Sequence, residues 1–332
     1  MNMNNVPVTA STISAGYLGQ FLREKYGFDP TTTCKLFRTG INHLYVVTTA
    51  KGRFVFRVYT LNWRTRFEIS EEIRLLNHLK ENNVPVAYPI ADKNNNFIQL
   101  LNAPEGERFG VLFSFAPGAK MSAFSQQASF HIGVAMARMH RLTENFQLQR
   151  VTYSPQTLLV DSLAISKSFF LNTSDDMIFV DRTTKYLIQE YNAVKTSEVR
   201  HGVIHFDIWF DNLHFNGGDE ITIFDFDFCG NGWLCYDIAY FMLQLYNTQK
   251  SEIQYEEKLK SFLEGYESVV AISKEEKRII PFLSISIWFF YLGTQCDRFD
   301  NWSNVFLSEE YLKRFIGMIK KWMAYNRIEI EN

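Results

Sequence analysis

Two acid-bearing segments lie close together in the second half of the chain, HGVIHFDIWFDN at 201–212 and TIFDFDFCG at 222–230. Both are embedded in bulky apolar residues. A carboxylate in such surroundings is costly unless it is paired or bound to a cation, which makes Asp207, Asn212, Asp225 and Asp227 candidates for proton and metal chemistry. Asn212 follows Asp207 by five residues on one loop, and Asp225 follows it by eighteen. That interval fits a hairpin, with strands at 213–215 and 221–224 and a turn at Asn216-Gly217-Gly218, which brings Asp225 back beside Asp207. One proton-accepting carboxylate, one amide oxygen and a second carboxylate then converge. The set suits phosphoryl transfer assisted by Mg2+: one Asp takes the proton of an acceptor hydroxyl, while Asn and the other Asp hold the cation across nucleotide phosphates. Two polar turns capping a hairpin are the plain alternative for either segment alone. Both together, in this order after a β-rich segment, favour the chemical reading.

The elements that must position these residues follow from periodicity. Residues 14–26 carry Leu18, Phe21, Leu22 and Tyr26 at helical spacing. Three strand-like runs follow, CKLFRTG, HLYVVTTA and RFVFRVY, the last two joined by a turn at Ala50-Lys51-Gly52. A helix over 68–80 turns Ile69, Ile73, Leu76 and Leu79 inward. Strands near 97–101 and 109–115 end at Ala116-Pro117-Gly118. Beyond this break the pattern is helical at 125–142, 162–170 and 183–194. Short strands surround the two acidic segments, and helices follow at 236–246, 255–270, 274–292 and 309–325. The expected fold class is α+β and bilobal. A β-rich N-lobe spans 1–116, with an N-terminal helix, and a mainly helical C-lobe spans 117–332, with a hinge near 113–118.

Composition bounds the function. A 332-residue chain that is 46% hydrophobic can fill one large core or two modest ones. Its net charge of −2 argues against a general nucleic-acid binder. Residues 1–116 hold thirteen basic and nine acidic side chains, and the remainder twenty-one and twenty-seven. An acidic second half is compatible with a cationic substrate, although it also reads as a solvated surface. The four cysteines show no CxxC spacing, which fits reduced thiols in the cytoplasm. The first residues, MNMNNVPVTAS, lack a basic and apolar leader pattern. The apolar run at 279–293 contains Pro281, Ser284 and Ser286, and it reads as a buried helix rather than a membrane span. No membrane or nucleic-acid partner is expected, and the protein is expected to be a monomer or homodimer.

The ordered segments GINHLY, FVFRVY, EEIRLLNHL, NVPVAYPI, APEGERFGVLFSFAPG, IHFDIWFDN and FDFDFCGNGWLCYDIA carry a family resemblance. The chain resembles the aminoglycoside phosphotransferase/choline kinase-like family, whose fold is protein-kinase-like. It is most similar to the branch holding homoserine kinase type II and the RdoA-type stress-response kinases. The resemblance implies an ATP- and Mg2+-dependent phosphotransferase, with nucleotide bound by the N-lobe and a hydroxyl acceptor by the C-lobe. Asp207 matches the catalytic base, Asn212 and Asp225 the metal ligands, and His205 the histidine that holds the metal loop. Asp237 in CYDIA matches the aspartate that buttresses the catalytic loop. Asp227 is open between metal, acceptor and nearby backbone N–H groups.

In the N-lobe, Gly40-Ile41-Asn42-His43 resembles the nucleotide loop, whose backbone N–H groups face phosphates. Arg57 stands where kinases usually have a phosphate-anchoring lysine. Its natural partner is Glu72, with Glu71 and Glu68 as alternatives. Residues 112–116, including Ser114 and Phe115, resemble the hinge strand that meets adenine through its backbone. Two positions depart from the pattern: Phe206 stands where relatives commonly have Gly, and Phe228 where many have Asp. An acidic C-lobe with Trp209, Trp233, Tyr236, Trp288, Tyr291 and Trp302 as possible aromatic walls points to an amino alcohol or aminated sugar as acceptor. A protein Ser/Thr kinase and a non-catalytic nucleotide-binding pseudokinase are the alternatives.

Overall fold

The structure is a computed structural model that describes residues 6–217 and 220–330. Gly218 of the expected turn lies outside the described residues. The chain divides into two compact units, the first ending at Ala116 and the second beginning at Pro117.

The N-terminal unit opens with α1 (Ala15–Tyr26), capped by the Ser14 hydroxyl and closed by Gly27 at φ +66°. Strands β1 (Thr33–Thr39), β2 (His43–Thr49) and β3 (Gly52–Val58) follow, then α2 (Arg66–Glu81), β4 (Pro89–Ile90), β5 (Ile98–Ala103) and β6 (Gly106–Ser114). The strands form one antiparallel sheet in the order β1-β2-β3-β6-β4, with β5 also paired to β6. β3 is therefore interior, with β2 on one side and β6 on the other. Thr65 and Glu68 cap α2 reciprocally, which satisfies two of the donors left open at any helix start. Leu18 and Leu22 of α1 pack with Tyr45, Val47, Phe56 and Val58 in one core cluster, so the periodicity at 14–26 describes a real apolar face.

The C-terminal unit is mostly helical. It runs through α3 (Gln126–Thr143), a π-helical turn at Gln156–Asp161, α4 (Ser162–Phe169) and α5 (Asp175–Asn192). Four short strands follow, β7 (His201–Ile204), β8 (Leu213–Asn216), β9 (Glu220–Ile223) and β10 (Gly230–Trp233). Helices α6 (Cys235–Thr248), α7 (Glu252–Glu267), α8 (Lys274–Asp297) and α9 (Glu309–Tyr325) complete it. β8 and β9 form the expected hairpin, with Leu213 opposite Ile223. β10, for which the sequence gives no clear alternation, pairs with β7 from Gly230–Ile204 to Trp233–His201.

Three expected helix limits are corrected. α5 starts at Asp175 rather than Thr183, because Ser174 accepts from the Met177 N–H and two aspartates occupy the first turn. α7 starts at Glu252 behind the Ser251 cap and ends at Glu267, so the helix expected at 255–270 is shifted. α8 continues past Leu292 to Asp297. About two-thirds of the most apolar window of α8 is buried within the protein.

Close approach of α3 and α7 requires glycine. A Cβ at Gly133 would sit 2.1 Å from the Phe262 carbonyl oxygen, and one at Gly265 would sit 2.0 Å from that of Phe130. This contact holds α3 against α7, and His140 lies further along the same helix.

Candidate active site

β7 delivers the loop that carries Asp207. His205 is fully buried, with its Nε2 3.0 Å from the Phe224 carbonyl oxygen and its Nδ1 accepting from the Asp207 N–H at 3.1 Å. A carbonyl only accepts, so the ring's proton sits on Nε2. One imidazole thus joins the Asp207 loop to the residue preceding Asp225. Asp237, in the first turn of α6, is fully buried and accepts from three donors: the N–H of His205 (2.9 Å), the N–H of Phe206 (2.6 Å) and His140 Nε2 (3.0 Å). Those bonds offset the burial of the charge. The other nitrogen of His140 lies 2.7 Å from the Tyr266 hydroxyl of α7. Neither His140 nor Tyr266 carries a sequence signal beyond its position in an apolar helix.

Phe206 takes φ +70°. A left-handed backbone is unfavourable for a bulky residue. The buried Phe206 ring stacks on Tyr153 with centroids 3.8 Å apart, and Phe290 and Tyr236 meet it edge-on at 5.3 and 5.9 Å. This packing holds the strained conformation.

Asp207 is half-buried. Asn212 Nδ2 donates to its Oδ2 at 2.7 Å and to its backbone carbonyl at 2.9 Å. The hydroxyls of Tyr240 and Tyr291 lie close to its carboxylate. Both phenols are held far above their ordinary pKa, first by burial and then by the negative charge of Asp207, so they stay protonated. Burial is the largest influence on Asp207 itself and pushes its carboxyl up to about 7. The charge of Asp225 adds to the rise, and the bonds from Tyr240, Asn212 and Tyr291 oppose it. A carboxylate offers about four acceptor positions. Asn212 fills one of them, which restrains the group's rotation and leaves room for an acceptor hydroxyl. Tyr291, expected as an aromatic wall, donates its hydroxyl proton to the Phe206 carbonyl at 3.1 Å. The sequence reading did not single out Tyr240; its lone signal is a polar tip on the buried face of α6.

Asp225 adopts φ +68°, a left-handed turn that aspartate tolerates. The Phe224 N–H bonds the Asn212 carbonyl at 3.1 Å, which ties the two acidic loops together. Because the amide nitrogen of Asn212 is committed to Asp207, its carbonyl oxygen faces the other way as a hard donor. Among the described residues no cluster of three His, Cys, Asp or Glu side chains forms a cage. Two protein oxygens, one amide and one carboxylate, are the sparse set that suits a cation carried chiefly by phosphates and water. Asp227 is 3% exposed in the short turn Phe226–Phe228, and its carbonyl accepts from Arg150 Nη2 at 2.6 Å. Among the expected aromatic walls, Trp288 stacks on Phe315 in the core, Trp233 and Tyr236 stack on each other, and Trp302 packs on Phe306.

In the N-terminal unit Arg57 and Glu72 are both buried and paired at 2.7 Å. The Tyr59 hydroxyl bonds the second Glu72 oxygen at 3.0 Å, and the Phe113 ring lies under the guanidinium at 4.8 Å. The alternatives are occupied elsewhere: Glu71 pairs with Arg74 and Glu68 caps α2. Gly40 and Asn42 sit in the β1–β2 connection, where the Gly40 N–H bonds the Asn42 carbonyl at 3.1 Å. The Asn42 side-chain oxygen accepts from the Thr60 N–H at 3.3 Å, so this side chain braces the loop. The N–H and hydroxyl of Ser114 both bond Tyr88, at 2.8 and 3.0 Å, and the Arg53 guanidinium lies 3.9 Å over the Phe115 ring.

Known proteins share this sequence and this architecture. The model of the phosphotransferase enzyme family matches residues 33–271. A homoserine kinase from Neisseria meningitidis serogroup B is 27% identical over 243 residues, which cover 72% of this chain and 74% of that one. The solved structure of the amicoumacin kinase hAmiN in complex with AMP-PNP, Ca2+ and Ami superposes with a TM-score of 0.77 at 20% identity, covering 96% of each chain. A microcompartment-associated aminopropanol kinase gives a TM-score of 0.74 at 17% identity, over 95% of this chain and 99% of that one. With more than half its length matched, and with the motif-bearing loops folded as described, the chain belongs to the phosphotransferase enzyme family and is a phosphotransferase acting on a hydroxyl group.

Proposed function

We propose that this enzyme moves the γ-phosphoryl group of ATP to the hydroxyl of a small amino alcohol or aminated sugar, with Mg2+ as the divalent cation and Asp207 as the base. The observation that carries this reading is the Asp207 carboxylate itself, held by Asn212 near Asp225 and shifted by burial to a pKa of about 7. A base poised near neutrality suits proton removal from a hydroxyl at physiological pH. The acceptor oxygen bonds the phosphorus as its proton passes to Asp207. The bridging P–O bond to the β-phosphate breaks, and ADP leaves with that electron pair. Asn212 keeps the carboxylate from rotating away, and His205 and Asp237 hold the two loops in register. Asn212 and Asp225 would hold the cation, which supplies charge neutralisation at the phosphates when bound. In the N-terminal unit, Arg57, braced by Glu72, is the proposed phosphate anchor, and the loop Gly40–Asn42 is the proposed nucleotide loop.

The named relatives, which act on homoserine, amicoumacin and aminopropanol, support a small amine-bearing acceptor. The test is ADP release from purified protein and Mg–ATP across homoserine, aminopropanol, ethanolamine, choline, aminoglycosides, amicoumacin and a generic protein substrate. The expected result is turnover with a small amine-bearing alcohol that Asp207→Asn abolishes. Turnover with the protein substrate alone, or no ADP release with any acceptor, would defeat the reading.

A further inference from the structure

Within the C-terminal unit a cavity of about 670 Å³ opens between the segment 145–155 and the ends of β7 and β10. That volume lies within the range of small-molecule sites. Asp207, Asn212 and Asp225 are not among its walls, so it is distinct from the site of phosphoryl transfer.

Two of its lining residues grip the acidic loops from behind. Tyr153 stacks on Phe206 at 3.8 Å, and its hydroxyl donates to the Phe228 carbonyl at 2.6 Å. Arg150 donates through Nη2 to the Asp227 carbonyl at 2.6 Å and through Nη1 to Cys229 Sγ at 3.3 Å. The left-handed Phe206 backbone depends on packing for its persistence, and Tyr153 is part of that packing.

The walls also state a chemistry. Phe146 and Trp233, both partly exposed, supply aromatic surface, while Arg150 and His201 supply donors, and no Asp or Glu lines the cavity. An ammonium group would find no counter-charge there, whereas an anion meets a guanidinium. Flat rings pack well against such aromatic walls.

We infer that this cavity is a second ligand site that takes a small anion bearing a flat ring, and that its occupancy acts on the loops of Asp207 and Asp225 through Tyr153 and Arg150. A ligand shifts an equilibrium only by contacting its states differently. Here the contacts are specific, because Tyr153 and Arg150 are at once cavity wall and loop support.

The test uses three probes with one ring and different charge: phenylacetate, benzyl alcohol and phenethylamine. Binding to the full chain is followed by calorimetry and by tryptophan fluorescence, with Trp233 as reporter. Phenylacetate should bind with a millimolar Kd, the scale for a probe of this size, and phenethylamine should not. Arg150→Gln should weaken phenylacetate about tenfold, the usual loss of a bond to a charged group. Because Arg150 also supports the Asp227 loop, the exposed His201→Gln is the second variant, with a smaller loss in the same direction. Saturating Mg–ATP should change the phenylacetate Kd by about fivefold or more, with an equal reciprocal effect on ATP.

Phenethylamine binding as tightly as phenylacetate would overturn the assignment, as would unchanged phenylacetate binding in both variants. A phenylacetate Kd indifferent to bound Mg–ATP would overturn the link to the loops. The binding arms stand apart from the roles proposed for Asp207 and Asp225, so failure of one reading does not imitate failure of the other.

Discussion

At Asp207 and Asp225 two carboxylates on adjacent loops sit in different environments, and that difference separates their roles. Asp207 accepts from Asn212 at both its side chain and its backbone, and it lies beside the neutral hydroxyls of Tyr240 and Tyr291. Asp207→Asn keeps its size and most of those bonds but removes the proton acceptor. It should leave Mg–ATP affinity nearly unchanged and lower the chemical step by about 10²–10⁴-fold, the scale of general-base loss. Asp225→Asn should weaken cation binding, and raising Mg2+ or Mn2+ should partly restore it. Metal titration of both variants checks the pair, and rescue of Asp207→Asn alone would reverse the assignment. The raised Asp207 carboxyl also has a signature in stability. Its folded pKa, about 7, lies above its unfolded value, so between about pH 4 and 7 the folded state keeps a proton that the unfolded state releases. The contribution of this group to the stability of the protein without nucleotide or cation should therefore fall as pH rises through that window and stay lowered above it. Asp207→Asn should remove this slope. It should match the parent near pH 4 and exceed it at pH 8 by a few kcal/mol at most, at about 1.4 kcal/mol per pH unit. Melting curves of both proteins across pH are the check, and parallel curves would contradict the buried-carboxyl account.

Two elements depend on a single interior contact. On β3, Arg57 is buried against Glu72 of α2. Removing one partner of such a pair leaves the other charge buried and alone, a loss of about 3–5 kcal/mol. Arg57→Ala and Glu72→Ala should each impair stability and nucleotide binding, and the double variant should cost less than the sum of the two. Strict additivity in denaturant melts would mean that the pair does not act as a unit. On the loop after β7, Phe206 sets a ring's packing against a backbone's strain. Phe206→Gly removes the strain but also the stack on Tyr153, so it should destabilise the protein by a few kcal/mol, as large-to-small core changes do. Phe206→Ala keeps the left-handed penalty as well, and should be less stable than the glycine variant by about 1 kcal/mol. A urea midpoint for the alanine variant at or above that of the glycine variant would show that the φ of Phe206 is not strained in solution.

For the whole molecule, nucleotide and cation should stabilise together. The loop carrying Gly40 and Asn42 is braced by Thr60, and the loops of Asn212 and Asp225 are tied by the Phe224–Asn212 bond. Ligand at about 100 times its Kd adds roughly 2.7 kcal/mol. Mg2+ with ATP should thus raise Tm more than either alone, and no shift with millimolar ATP or GTP would count against the proposed chemistry. Much of this was legible before any coordinates. Periodicity marks α9 as Glu309–Tyr325 and places α2, α3 and the β8–β9 hairpin within a residue or two, because such patterns are local and repeat every few residues. The spacing of Asp207, Asn212 and Asp225 likewise follows from one loop and one hairpin. What the linear chain cannot carry is partnership across long separations. Tyr291 reaches the Phe206 carbonyl from 85 residues away, and His140 reaches Asp237 from 97. Sequence favours Glu72 but helical phase leaves Glu68 and Glu71 open, and the buried bond to Arg57 decides for Glu72. The fold class and the chemical groups are thus written in local pattern and residue type. The raised Asp207 carboxyl, the left-handed Phe206 and the Arg150–Tyr153 grip on the loops arise only from tertiary packing, because burial and electrostatic environment depend on neighbours that chain order does not bring together.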